Sequence, residues 1–238
     1  MANQEVSEVA IVVGVGPGLG SACVRRFAAE GMAVAAVARS PDKLQALCQE
    51  SGARAYGCDS GDPAALAALF AAVDKDLGSP TLVVFNVGAG VRGSALDIEP
   101  EAIAQAWRAG ALGAFVTGQE AARRMVPAGA GTIIYTGATA GMRGGANFAG
   151  FAAVKFSLRA IAQSLARELG PRGVHVAHVN IDGGIRPPEG RSHPRMGDQP
   201  EDSFLDPQAI ADAYVHLHRQ PRSAWTQELD LRPWVEKF

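Results

Sequence analysis

Gly14, Gly16, Gly18 and Gly20 alternate with Val15, Pro17 and Leu19 in a run that could hold a phosphate. Glycine lets the main chain turn tightly and approach a ligand with no Cβ in the way. A helix opening at the end of the run would add unpaired N–H groups and a partial positive charge. A glycine run alone is weak evidence; between a strand and a helix it is strong. Further on, the second apolar run closes on Arg39-Ser40. Dinucleotide folds that prefer NAD usually place a carboxylate there for the ribose hydroxyls. Here a guanidinium could pair bidentately with a 2′-phosphate and Ser40 could add a hydroxyl, so NADP(H) is expected ahead of NAD(H). Lys155 stands in the apolar stretch Phe151-Ala152-Ala153-Val154-Lys155-Phe156. An ammonium there is costly without hydrogen-bond acceptors, unless it snorkels to solvent.

The elements that would carry these residues alternate along the whole chain. Short apolar runs at Glu8–Val13, Ala33–Ala38, Ala53–Cys58, Thr81–Asn86, Gly131–Thr136, Val174–Asn180 and Ala224–Leu231 predict about seven strands. Between them, Ser21–Glu30, Pro41–Ser51, Asp62–Leu77, Pro100–Val126, Asn147–Leu169 and Pro207–Arg219 have helical character, with an Asp-Pro start at Asp62 and a Gly-Pro stop after Leu169. Such alternation implies βαβ units: one α/β domain over residues 1–238, a doubly wound and mostly parallel sheet of Rossmann type, with helices on both faces. Continuous rather than alternating apolar strands fit burial on both sides. The irregular stretch 183–204 is too long for an ordinary connection and follows a strand end, where open α/β sheets bind ligands. It is expected to be a substrate lid.

Bulk properties narrow the classes. Hydrophobic residues make up 47% and charged residues 19%, and 22 basic against 24 acidic side chains give a net charge of −2 spread along the chain. Nothing in that balance favours nucleic acid or an anionic membrane as a partner. No apolar stretch reaches the roughly 18 residues of a spanning helix, and the polar start lacks the pattern of a secretory signal. Cys23, Cys48 and Cys58 lack metal-ligand spacing and read as small hydrophobes in a reducing compartment, so no metal is expected and the cytoplasm is the expected location.

The spacing Gly14-x-x-x-Gly18-x-Gly20 resembles the fingerprint of the short-chain dehydrogenase/reductase family, and the likeness runs along nearly the whole chain. Asp59, after the third strand, resembles the acid that meets the adenine ring. Asn86-Val87-Gly88-Ala89-Gly90 resembles the family's Asn-Asn-Ala-Gly segment, and Asn180-Ile181-Asp182-Gly183 resembles its Asn-x-Pro-Gly, with Asp182 in the proline's place. Lys155 matches the lysine of the Tyr-x-x-x-Lys pair. The resemblance implies a Rossmann fold, a cradle for NADP(H) that includes Asn86, Gly88, Asp182 and Gly183, and a role for Lys155 on the nicotinamide ribose. It also implies a small-molecule substrate, and assembly as a homodimer or homotetramer through Pro100–Val126 and Asn147–Leu169.

The catalytic positions depart from the family. Where the proton-passing tyrosine belongs stands Phe151, four residues before Lys155; the orienting serine's place holds Ala138, and the asparagine's place Gly110. Thr136 and Thr139 flank the serine position, and a one-residue shift would let Thr139 orient a carbonyl. Arg143 could stabilise an oxyanion, Asp182 could act as a base if desolvated, and Asn147 could serve the chemistry or cap the long helix. Tyr135 lies inside a strand and is expected to pack. In 183–204, Arg186, Arg191, His193 and Arg195 against Glu189, Asp198, Glu201 and Asp202 would suit an acidic substrate or form a solvated mixed-charge loop. The reading is an NADP(H)-dependent oxidoreductase with a non-standard proton path, acting on a carbonyl or activated double bond. Two alternatives stand beside it: an inactive NADP(H)-binding sensor or partner subunit, and a non-redox variant performing retro-aldol cleavage or dehydration.

Overall fold

Val9–Val13, Ala33–Ala38 and Leu82–Phe85 are apolar at every position, and in the computed structural model they form strands buried on both faces. The structure describes residues 8–190, 200 and 202–236. The strands are β1 (Val9–Val13), β2 (Ala33–Ala38), β3 (Arg54–Gly57), β4 (Leu82–Phe85), β5 (Thr132–Thr136), β6 (His175–Ile181) and β7 (Glu228–Leu231). They form one sheet in the order β3-β2-β1-β4-β5-β6-β7. All the pairings are parallel, which sharpens the expected mostly parallel sheet. The order reverses direction between β1 and β4, and a crevice opens at such a switch point beyond the carboxyl ends of the strands.

Helices cover both faces. On one side α1 (Leu19–Ala29), α2 (Gln45–Ser51) and α7 (Pro207–Arg219) close a core around Phe27, Val12, Ile134 and Tyr214. On the other, α3 (Pro63–Asp76), α5 (Gly113–Ala128) and α6 (Ala149–Leu169) pack Phe70, Phe85, Tyr135 and Leu158. Two starts follow directly from sequence. Asp62 accepts from the N–H groups of Ala64 and Ala65, and Asp206 from that of Gln208, each just ahead of a proline in the first turn. No helix among the described residues is long and apolar enough to cross a membrane.

Most expected boundaries shift by a residue or two, Pro41–Ser51 divides into a 3-10 turn at Pro41–Leu44 and α2, and three further changes have an identifiable physical cause. The long helix begins at Ala149 rather than Asn147, because Asn147 has a φ of 66° and cannot start a right-handed helix. The last strand shortens to Glu228–Leu231. Before it, Trp225 stacks on His175 with centroids 4.9 Å apart, and Gln220 accepts from the Thr226 N–H at 2.8 Å, which makes that stretch a folded connection. The helix expected over Pro100–Val126 is interrupted: α4 (Pro100–Trp107) passes through a π turn at Arg108–Leu112 into α5, which runs on to Ala128. Ser60 Oγ donates to the Ala109 carbonyl within that wider turn at 3.0 Å.

Gly113 closes the π turn, and a Cβ there would lie 2.3 Å from the Ser60 carbonyl oxygen, which is fixed main chain. Gly113→Ala is expected to cost roughly 1–3 kcal/mol by overpacking, beyond the helix-propensity gain. A lowered urea midpoint with an unchanged m-value would show it; a midpoint at or above that of the parent would not fit.

Candidate functional site: a glycine cradle opening into a cleft

The turn after β1 is set by close main-chain approach. Gly14 has a φ of 94°, and a Cβ there would sit 2.8 Å from the Asn86 carbonyl oxygen. The N–H groups of Gly14 and Val15 both donate to the Val37 carbonyl, at 3.0 and 2.8 Å. At Gly20 a Cβ would fall 2.7 Å from Val15 Cα, so the loop folds onto the first turn of α1. Gly16 and Gly18 differ, because a Cβ at either would meet no protein atom within 4 Å. Packing does not require glycine there, and the space above the α1 N-terminus stays open. That terminus has no side-chain cap and no acid in its first turn. Leu19 turns its side chain into the core and offers only main chain to the cradle. These features fit a pyrophosphate, which needs donors, positive charge and a surface free of side chains.

At the outer end, Arg39 and Ser40 follow β2 two and three residues after Val37 and are exposed. Arg39 has no ion-pair or hydrogen-bond partner among the described residues. Asp59, also exposed, follows β3, and its Oδ1 accepts from the Gly61 N–H at 2.9 Å. β2 and β3 run side by side, with Ala38 opposite Gly57, so the three residues share one edge of the crevice.

At the inner end, Asn86 joins the glycine turn to a neighbouring cleft. Its Nδ2 donates to the Gly14 carbonyl at 3.1 Å, and it lines a cleft of about 830 Å³ at the carboxyl ends of β4, β5 and β6. Gly88, Lys155, Thr139, Arg143 and Gly183 line the same cleft. Lys155 comes off α6 and is 4% exposed. Its Nζ donates to the Thr136 carbonyl at 2.9 Å and approaches that of Val87 at 3.5 Å. Burial pulls its pKa down to about 8, so its charge changes close to neutrality. Thr139 Oγ1 donates to Asp182 Oδ1 at 2.7 Å, and Arg232 reaches Asp182 Oδ2 at 3.4 Å. Asp182, 4% exposed, therefore points its carboxylate at Thr139 and Arg232 and is not among the residues lining the cleft. Thr136, the other neighbour of the serine position, is spent elsewhere: its hydroxyl pairs with the Tyr214 hydroxyl at 2.8 Å inside the core.

The departures from the expected catalytic set are packed in. A Cβ at Gly110 would lie 2.3 Å from Val154 Cγ1 and 3.2 Å from Ala89 Cβ, so the asparagine's place is filled by neighbours. Phe151 seats against Gly90, where a Cβ would meet its ring at 2.1 Å. The tyrosines do not substitute. Tyr135 is fully buried with its hydroxyl donating to the Ala114 carbonyl at 3.2 Å, and Tyr56 points to Asp76 at 3.1 Å. Asn147 is exposed, does not line the cleft, and is not the cap of α6, which is Phe148. Its positive φ instead turns its carbonyl to accept from the Gly93 N–H at 2.9 Å. Of the expected lid, Gly183, Gly184 and Ile185 line the cleft, and Ile185 bridges to Leu205. Arg186 pairs with Asp202 at 3.2 Å, while Arg191, His193, Arg195, Asp198 and Glu201 lie outside the described residues. Sequence reasoning missed Arg92, which lines the cleft with its guanidinium over the Phe148 and Phe151 rings, and Arg232. Nothing local to either residue signals it; each depends on a partner far along the chain. Among the described residues no group of three or more His, Cys, Asp or Glu is placed to hold a metal.

The model of the short chain dehydrogenase family matches residues 8–187. The chain belongs to the short-chain dehydrogenase family. A cyclic-di-GMP-binding biofilm dispersal mediator protein from Escherichia coli is 35% identical to this chain over 185 residues, 76% of each chain. A short-chain dehydrogenase from Rhodopseudomonas palustris has a solved structure 38% identical to this chain, covering 95% of it and 99% of its own length, with a TM-score of 0.81. A metagenomic short-chain oxidoreductase solved in complex with NADP is 26% identical, covers 97% of this chain and 99% of its own, and has a TM-score of 0.83.

Because Val154 and Ala89 occupy the asparagine's space and Ala138 offers no hydroxyl, Phe151→Tyr alone is expected to leave ordinary ketone reduction essentially unchanged. One positioned acid–base group is typically worth about 10²- to 10⁴-fold. A gain of that size in NADPH-dependent turnover of simple ketones would show that the other two positions matter little.

Proposed function

We propose that the chain is an NADP(H)-dependent oxidoreductase of the short-chain dehydrogenase type, acting on a carbonyl or an activated double bond through a non-standard proton path. The observation that carries the reading is the Thr139–Asp182 hydrogen bond of 2.7 Å, which ends in the cleft that Lys155 also reaches. A cradle used only for sensing has no need of a carboxylate-backed hydroxyl at that point. The NADP held by the metagenomic relative supports the cofactor, as do Arg39 and the lack of an acid at the end of β2.

In this reading Gly14, Gly16, Gly18 and Gly20 with the α1 N-terminus hold the pyrophosphate, Arg39 and Ser40 take the 2′-phosphate, and Asp59 meets the adenine. Asn86, Gly88 and Gly183 border the nicotinamide, and the Lys155 ammonium donates to its ribose. The cofactor supplies or removes hydride. Thr139 presents its lone pairs to the cleft because its proton is directed at Asp182, so it accepts from a substrate hydroxyl. In the oxidative direction the substrate proton passes to Thr139 Oγ1 as the Thr139 proton passes to Asp182; reduction runs the same transfer backwards. Arg232 steadies the Asp182 carboxylate, and Arg143 faces developing negative charge. The fully apolar Phe151 takes no part in proton transfer. The expected homodimer or homotetramer would meet on α5 and α6, where Phe115 and Phe156 are exposed.

Two measurements test the reading. NADPH is expected to bind more tightly than NADH, with Arg39→Asp reversing the order; equal affinity for both in a titration would remove the role given to Arg39. NADPH oxidation across ketones, aldehydes and enones is expected to be abolished by Lys155→Ala and to fall by about 10²-fold or more with Thr139→Val. Tight NADPH binding with no turnover on any of them would favour the sensor.

A further inference from the structure

Arg92 is held in place by more than its own side chain. On one side of it the Phe151 N–H donates to the Val91 carbonyl at 3.0 Å, and on the other the Gly93 N–H donates to the Asn147 carbonyl at 2.9 Å. These two bonds stitch the segment after β4 to the start of α6. Asn147 adopts φ 66° and Gly93 φ 150° in making them. Between them the guanidinium carbon sits 4.9 Å from the Phe148 centroid and 4.8 Å from that of Phe151. The rings are 6.3 Å apart and inclined at 60°, so the guanidinium lies in an aromatic notch. Ring faces attract a cation but offer no hydrogen-bond acceptor in its plane, which leaves the N–H fork for another partner. Among the described residues no carboxylate takes it. Glu236, the cleft's lining carboxylate, makes no ion pair with it, and Asp182 is already engaged by Thr139 and Arg232.

Among the described residues the cleft around this notch carries three cationic side chains against one carboxylate, Glu236. Arg92, Arg143 and Lys155 line it together with Phe148, Phe151 and Ile185. We infer that Arg92 is the recognition point for an anionic group on the substrate, and that the substrate is a carboxylate-bearing ketone or alcohol with an apolar body. This deepens the oxidoreductase reading by naming its substrate class, and it gives Phe151 a use: the ring in the tyrosine's place becomes one wall of the anion site. A planar carboxylate matches the guanidinium fork bidentately.

The test measures binding rather than turnover, so its failure is distinct from failure of the oxidoreductase reading. Calorimetry with the full-length protein, with and without saturating NADPH, would compare benzoylformate, its methyl ester and benzyl phosphate. Benzoylformate is expected to bind about tenfold or more tightly than the ester, the loss typical of removing a charge-assisted hydrogen-bonded pair. Arg92→Ala should erase that difference at an unchanged melting temperature, while Arg92→Lys should keep part of it and lose the bidentate preference. Benzyl phosphate binding more tightly than benzoylformate, with the same dependence on Arg92, would keep Arg92 as an anion site but overturn the carboxylate assignment in favour of a phosphate. Equal binding of acid and ester, no binding of any probe, or an Arg92→Ala protein that holds benzoylformate as tightly as the parent would overturn the inference.

Discussion

The close contact between the turn after β1 and the end of β4 is the constraint on which the rest of the site hangs. The Gly14 α-carbon approaches the Asn86 carbonyl so nearly that no side chain fits between them, and Asn86 returns a hydrogen bond to the Gly14 carbonyl. That contact sits where the strand order reverses, so two neighbouring strands send their following segments apart. One segment becomes the bare N-terminus of α1, the other a wall of the cleft. Loosening the contact would separate the glycine turn from the cleft.

Gly110, Gly90 and Phe151 are packed as a connected set. Gly110 leaves room for Val154, Gly90 leaves room for Phe151, and Phe151 in turn offers its ring to Arg92. Across the cleft Thr139 stands one residue past the expected serine position and donates to an aspartate in the usual proline's place. A proline at residue 182 would supply no carboxylate, and a serine at residue 138 would lie one residue away from the one that Asp182 engages. The changes therefore support one another.

How much of this was legible in the sequence follows the range of the forces involved. The inner strands were, because continuous apolar runs have few other uses, whereas the edges β3 and β7 carry exposed polar residues; so were the Asp62 and glycine-loop starts, which are written in adjacent residues. The glycine turn followed from the same local grammar, and the expected Lys155 and Thr139 line one cleft. The π turn was not legible, since it rests on Ser60 reaching the Ala109 carbonyl from another element. Nor was the start of α6, where a bond to Gly93 sets the backbone of Asn147. Arg92 stayed hidden for the same reason: its meaning comes from two rings more than fifty residues away. Asp182 stands out in the sequence as a substitution, but the fold alone brings it to Thr139 and Arg232.

The π turn at Arg108–Leu112 puts α4 and α5 out of phase. One residue more than an α-helical turn rotates everything before it by about 100° relative to everything after it. The apolar stripe of α5 faces the sheet through Ala114 and Ala121, whereas Ile103 of α4 reaches Gly150 at the entrance of α6. A single continuous rod is thus made to serve two directions, sheet-ward at its rear and cleft-ward at its front. Without that extra residue the front half would turn its apolar side away from α6, and the wall behind Val91 and Phe151 would lose its backing.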